Sequence, residues 1–379
     1  MRAAPGCRRS DGRVLRSFRV AVSIQRSALR GGVYTAPSLM SSFHENPDGI
    51  LDRRIPVRRV SDAPVIPYGS VAGYGPIFNA GAVFHDGQYH VFARGVRDHY
   101  HRNPGSGARF LDYVSDILIF TSRDGMNFEF QQVLARASSE GVNCYEDARV
   151  HLVESNGVPQ WVMTYTNLPE PKPGTYWRIG VDILNYANGR FSLDGVQNRV
   201  VGPEGEPDKD GIVFNLRDGR VALIHRIYPN MQIAIFDSVE DLLNPPVGYW
   251  ERHMAEIDKY VIIEPAPDSL GVGAGAPPIV TDDGLLLIYH ERGGDTHYTT
   301  KVALLDYDTG QIVSRLELPI MRPQLDWERH GDVDNVVFVQ GAVPRPDGTI
   351  YLTYGAADRC TGAAVLDTET VLAALRKAA

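Results

Sequence analysis

The sequence predicts an all-β chain folded as a five-bladed β-propeller with a short C-terminal helix. One hairpin phrase recurs five times, and its turn glycines Gly87, Gly157, Gly219, Gly284 and Gly348 are spaced 70, 62, 65 and 64 residues apart. The chain also holds 37 Gly and 25 Pro with no collagen-like period, enough to turn many short strands. A unit of three or four strands cannot bury both faces alone, so even repetition reads as blades stacked around an axis. A β-sandwich or two smaller β-domains would leave the even spacing without a cause.

The five copies are NAGAVFHDGQYHVFARG (79–95), EDARVHLVESNGVPQWVMTYTN (146–167), KDGIVFNLRDGRVALIHR (209–226), GAPPIVTDDGLLLIYHE (275–291) and QGAVPRPDGTIYLTYGAAD (340–358). Asp-Gly and Asn-Gly at their turns tolerate the positive φ that tight hairpins need. Each copy continues into a further apolar strand: DILIFTSRDG, IGVDILNYANG, IAIFDS, VALLDYDTG and GAAVLD. Runs rich in Val, Ile, Leu and Tyr suit strands covered on both faces. Thr368–Lys377 is the one clear amphipathic helix.

Composition narrows the function. Hydrophobic residues at 43% and charged residues at 22% exclude wholesale disorder. No apolar run reaches the roughly 20 residues of a membrane-spanning helix. A net charge of −8 argues against general nucleic-acid binding. Cys7, Cys144 and Cys360 make no disulfide framework or metal-ligand spacing, which fits a reducing cytoplasm. Residues 1–42 stand apart: eight arginines and one acid, Asp11, give +7 against −15 for the remainder. This segment reads as a disordered extension, a transit-type leader or a start placed ahead of Met40, and the catalytic domain is expected over 43–379.

A propeller gathers equivalent strand ends at one mouth. The second strands end at Arg94, Tyr165, His225 and Arg226, Tyr289 and His290, and Tyr354. The first strands are preceded by Asn79, Asp147, Lys209 with Asp210, and Asp334 with Asn335. Antiparallel pairing puts both sets at the same end of each hairpin. One mouth then collects carboxylates, cations and aromatics, a composition suited to a sugar or an anion.

At these residues the chain resembles glycoside hydrolase family 130, the β-mannoside phosphorylases and related β-mannosidases. The matching phrases are NAGAV, YEDARV, DKDGIVF with GRVALIHR, GAGAPPI with LLIYH, and GDVDNVVFVQGAV with YLTYGAAD, in family order over about 75–365. The family often has Pro where this chain has Ala80 and Ala148, and Gly where it has Glu291. The resemblance implies a five-bladed propeller and an inverting enzyme that cleaves β-mannosides, usually with phosphate, releasing α-mannose 1-phosphate. It also implies that Asp147, in YEDARV, is the catalytic acid, its proton passing through a sugar hydroxyl. From the residues alone, Asp147 reads first as a strand-capping partner of Arg149, and only second as a catalytic acid.

Inverting cleavage needs an acid for the leaving oxygen and a nucleophile on the opposite sugar face. Phosphate is already a nucleophile, so a phosphorylase needs one carboxylic acid and a cationic cradle. The cradle candidates are Arg178, Lys209, His225 and Arg226. The rival for Lys209 and Arg226 is structural pairing with Asp210. Asn79, Arg94, Asp98, His290, Asp332, Asp334 and Asn335 are candidates for sugar hydroxyls, and Tyr289 or Tyr100 for the apolar sugar face. The polar loop 97–107 borders the expected acceptor side. His99 and His101 in it, without a carboxylate cluster, do not suggest a metal.

No metal and no cofactor are expected, inorganic phosphate entering as co-substrate. The expected partners are a β-mannoside oligosaccharide and phosphate, with homo-oligomer formation allowed, and neither nucleic acid nor membrane. Two rivals stand. A hydrolase would need a second carboxylate, with Glu204, Glu206 or Glu291 as base. A non-catalytic sugar-binding propeller would have no use for the cradle. Asn79 in place of an acid on the first blade disfavours an arabinanase-type glycosidase.

Overall fold

The computed structural model describes residues 51–105, 109–138, 144–169, 176–195, 199–294 and 297–379. The arginine-rich segment 1–42, the expected boundary after it, and residues 106–107 of the polar loop lie outside the described residues.

Five antiparallel sheets follow one another in chain order. Blade one is Tyr74–His85, Gln88–Arg97, Ser115–Ser122 and Glu129–Ala135. Blade two is Cys144–Ser155, Val158–Leu168, Arg178–Ala187 and Arg190–Leu193, with Arg199–Val201 added beside its third strand. Blade three is Lys209–Asn215, Val221–Arg226, Met231–Phe236 and Val261–Ile263. Blade four is Ser269–Thr281, Gly284–Gly293, Tyr298–Leu305 and Ile312–Arg315. Blade five is Val337–Pro344, Thr349–Ala356 and Cys360–Asp367, completed by Arg58–Arg59 from the other end of the chain.

The first strands of successive blades touch in a closed ring, blade five meeting blade one. Five apolar clusters fill the five clefts between neighbouring blades; Val91 and Ala93 of blade one, for example, pack with Tyr351 and Val365 of blade five. This explains the doubly apolar strands of the sequence: each blade buries both faces against its neighbours. All five anchor glycines have positive φ, as their turns require. The inner ring is tight, and a Cβ on Gly81 would collide with the Ala148 carbonyl oxygen of the next blade.

Closure is locked from the side. Arg59 Nε and Nη2 donate to Glu328 at 3.0 Å each, and Tyr354 Oη donates to the same carboxylate at 2.8 Å. Glu328 is fully buried. The C-terminal helix, Thr368–Arg376, starts where Asp367 accepts from the Thr370 amide at 2.7 Å. Short helices at Val239–Leu243, Tyr249–Ala255 and Asp326–Arg329 also occur; one or two turns are too short to leave a periodic signal in the sequence.

Candidate active site

The site is built from one recurring irregularity. In blades one, two and three the first strand carries a β-bulge at Asn79, Asp147 and Asp210, with φ of 46°, 58° and 56°. Asn and Asp tolerate this left-handed backbone better than most residues, and a bulge turns its side chain off the sheet face. All three side chains line one cavity of about 550 Å³ at the propeller mouth. Arg94, Lys209, Arg226, His290, Asp332, Asp334 and Asn335 line it as well.

On the side of blades one and two, Asp147 is nearly inaccessible, at 2% exposure. Arg94 Nε donates to its Oδ1 at 3.0 Å, Arg94 Nη2 bonds the same oxygen, and Asn79 Nδ2 donates to it at 2.9 Å. Among the described residues no donor reaches Oδ2, which is left to the cavity. Burial would push the Asp147 carboxyl up; the Arg94 guanidinium, with Arg149 and Lys209, overrides this and holds it below the usual carboxylate range. Arg149 is not the carboxylate's partner. Its Nη1 donates to the Asp147 carbonyl at 2.9 Å and its Nη2 to Asp210 Oδ1 at 3.2 Å, so the strand-capping pair expected as the alternative does not form.

On the side of blades three and four, Asp210 gathers a guanidinium and an imidazole. Arg226 Nη1 lies 3.3 Å and His290 Nε2 3.4 Å from its Oδ2. Burial opposes ionisation of Asp210, but Arg226, His290 and Arg149 hold its carboxyl well below the usual range. Burial pushes the His290 imidazole down despite Asp210. Lys209 does not share in this pairing: its ammonium lies 5.9 Å from the Trp177 ring centroid, and among the described residues no carboxylate is within ion-pair distance.

Four expected site residues are elsewhere. His225 is fully buried behind the cradle, where Nδ1 meets Asp208 Oδ2 at 3.0 Å and Nε2 meets His253 Nε2 at 3.1 Å. Its neighbour Arg226 takes the cavity face because adjacent strand residues point opposite ways. Arg178 does not line the cavity; its Nη2 donates to the carbonyls of Val201 and Gly202, at 3.4 and 2.7 Å. Tyr289 is buried in the cluster between blades three and four, by the same alternation that sends His290 to the cavity. Asp98 is exposed and does not line the cavity; its backbone amide donates to the Gly73 carbonyl at 3.1 Å. Tyr100 contributes indirectly, its hydroxyl donating to Asp332.

The cavity also holds residues the sequence reading did not name: Arg102 and Arg109 from the blade-one loop, Arg292, Tyr298 and Phe338 from blades four and five, and Asp358. Asp358 ends the phrase YLTYGAAD, so the repeat itself marked it. Burial raises its carboxyl to about 7; Asp147 and Glu146 add to this while Arg94 and Arg109 oppose it. The glutamates named as hydrolytic bases are not in the cavity: Glu204 and Glu206 do not line it, and Glu291 is held by Lys301 Nζ at 2.5 Å and the Ala266 amide at 2.8 Å. Among the described residues no three His, Cys, Asp or Glu side chains gather as a metal set.

The sequence profile of glycoside hydrolase family 130, described as beta-1,4-mannooligosaccharide phosphorylase, matches residues 51–377. The 1,2-beta-oligomannan phosphorylase of Thermoanaerobacter sp. (strain X514) is 31% identical over 84% of this chain and 99% of its own. The beta-1,2-mannobiose phosphorylase of the same organism is 32% identical over 78% and 91%. In structure, the beta-1,2-mannobiose phosphorylase of Listeria innocua, solved with beta-1,2-mannobiose, superposes with a TM-score of 0.66 at 20% identity, covering 84% of this chain and 99% of that one. The propeller, its bulged inner strands and a profile match over most of the length make this chain a member of glycoside hydrolase family 130.

Proposed function

We propose that this chain catalyses the inverting phosphorolysis of β-mannosides, transferring mannose to inorganic phosphate and releasing α-mannose 1-phosphate. The observation that carries this is a single cavity with the buried acid Asp147 on the side of blades one and two and the cations Lys209 and Arg226 on the side of blades three and four. A neutral sugar does not call for those cations; an attacking phosphate does. Two relatives at 31 and 32% identity, both named for β-1,2-mannosides, support that linkage.

In this reading the mannose ring lies between the two walls, with Asn79, Arg94, Asp332, Asp334, Asn335 and His290 within reach of its hydroxyls. Phosphate held by Lys209 and Arg226 attacks the anomeric carbon as the glycosidic bond breaks. The bonding pair leaves with the acceptor oxygen, which takes the proton from Asp147 through a sugar hydroxyl. Inversion gives the α-phosphate. The Arg94 guanidinium, with smaller contributions from Arg149 and Lys209, lowers the Asp147 carboxyl; a phosphate anion at Lys209 would offset only the last of these.

Among the described residues no helix is long and apolar enough to cross a membrane. The deciding experiment incubates the enzyme with β-1,2- and β-1,4-mannobiose, with and without phosphate. The expected product is α-mannose 1-phosphate, formed only with phosphate and faster from the β-1,2 substrate. Free mannose at the same rate in phosphate-free buffer would make the enzyme a hydrolase.

A further inference from the structure

We infer that Arg292 is a third phosphate-contacting cation, completing the cradle that Lys209 and Arg226 begin. The inference rests on the phosphorolysis reading and adds to it a residue on a different blade. Arg292 lies on the second strand of blade four, two positions after His290. Alternation therefore puts both side chains on one face, and both line the cavity, while Glu291 between them turns away to Lys301.

The strand opposite is opened for them. His290 and Arg292 pair with Gly273 and Gly271. A Cβ on Gly273 would collide with both His290 Nε2 and Asp210 Oδ2, so glycine there lets blade four reach across to blade three.

A buried, unmet donor is what marks Arg292 among the cavity's arginines, together with Arg226. Arg226 is partly committed to Asp210, which also draws on Arg149 and His290. Arg292 has no carboxylate within ion-pair distance among the described residues; its guanidinium lies 5.6 Å from the Tyr298 ring centroid. Its Nε is buried without a hydrogen-bond partner, and so is that of Arg226. A desolvated cation with an unmet donor is costly unless an anion completes it. A phosphate with up to two negative charges and several acceptor oxygens, placed between Lys209, Arg226 and Arg292, satisfies all three.

The test compares wild type, Arg292→Ala, Arg292→Gln and Arg292→Lys by two readouts: initial rates at varied phosphate and varied mannobiose, and the melting shift produced by inorganic phosphate alone. Loss of one charged hydrogen-bonding partner should raise the phosphate KM on the order of tenfold to a hundredfold in the Ala and Gln variants. The mannobiose KM should change less than threefold or so, and Lys should recover part of the loss. The phosphate-induced melting shift should shrink in the same order. If wild type responds to phosphate and the variants keep both its phosphate KM and its melting shift, or lose mannobiose affinity equally, the assignment of Arg292 falls while phosphorolysis stands. If wild type itself shows no phosphate dependence, both readings fall together.

Discussion

Arg94 holds Asp147 by one oxygen: Nε and Nη2 both donate to Oδ1, while Nη1 turns to Glu146 at 2.9 Å and to the Tyr113 hydroxyl at 2.8 Å. The guanidinium fixes the carboxylate's plane and leaves Oδ2 to the cavity. It also sets the proton affinity of the group proposed as the acid.

Asp147→Asn keeps the shape and removes the transferable proton. Turnover of mannobiose should fall by about 10²- to 10⁴-fold, the usual worth of a general acid. The phosphate-induced melting shift should survive, because the cradle lies on other blades. Near-normal turnover would take Asp147 out of the mechanism.

Lys209 has no carboxylate to neutralise among the described residues, so its charge is available to phosphate. Lys209→Ala should raise the phosphate KM by about tenfold or more and the mannobiose KM much less. Parallel increases in both constants would show that Lys209 serves the sugar or the fold instead.

Asp358 provides a pH test of stability. Its folded carboxyl titrates at about 7, above the ordinary value of 3.8. Between those values the folded state binds the proton that the unfolded state has released, so stability from this group is fully present below 3.8 and is lost as pH rises through about 7. Asp358→Asn mimics the neutral form. Its melting temperature should exceed that of wild type at pH 8, and the difference should narrow by pH 5. An equal or lower melting temperature at pH 8 would contradict the raised proton affinity of Asp358.

The ring closure rests on Arg59 and the fully buried Glu328. Arg59→Ala strands that carboxylate and should destabilise the protein by about 3–5 kcal/mol, read as a lower denaturant midpoint. A double variant, Arg59→Met with Glu328→Met, should recover much of the loss, since no unpaired charge then remains. If the single variant is as stable as wild type, the pair does not lock the propeller.

The sequence alone determined the repeat and the mouth. Turn glycines, apolar strands on both sides of them and polar strand ends are local features, each needing only its neighbours, and they placed Asp147, Lys209, Arg226, Arg94 and Asn79 at one cavity. Parity is where it ran out. The cavity-facing side chains stand seven residues after the anchor glycine at Arg94 and at Arg226, but six and eight after it at His290 and Arg292. Hairpin turns of different length and bulges inside the strands shift the alternation by one, and a shift of one exchanges Arg226 for His225 or His290 for Tyr289. Tertiary structure alone decided the rest. Arg102, from a loop of blade one, donates to the Asp332 carbonyl at 3.0 Å across 230 residues, and Arg59 reaches Glu328 across 269. Such contacts exist only once the ring has closed, because closure, not sequence proximity, brings the first blade against the last.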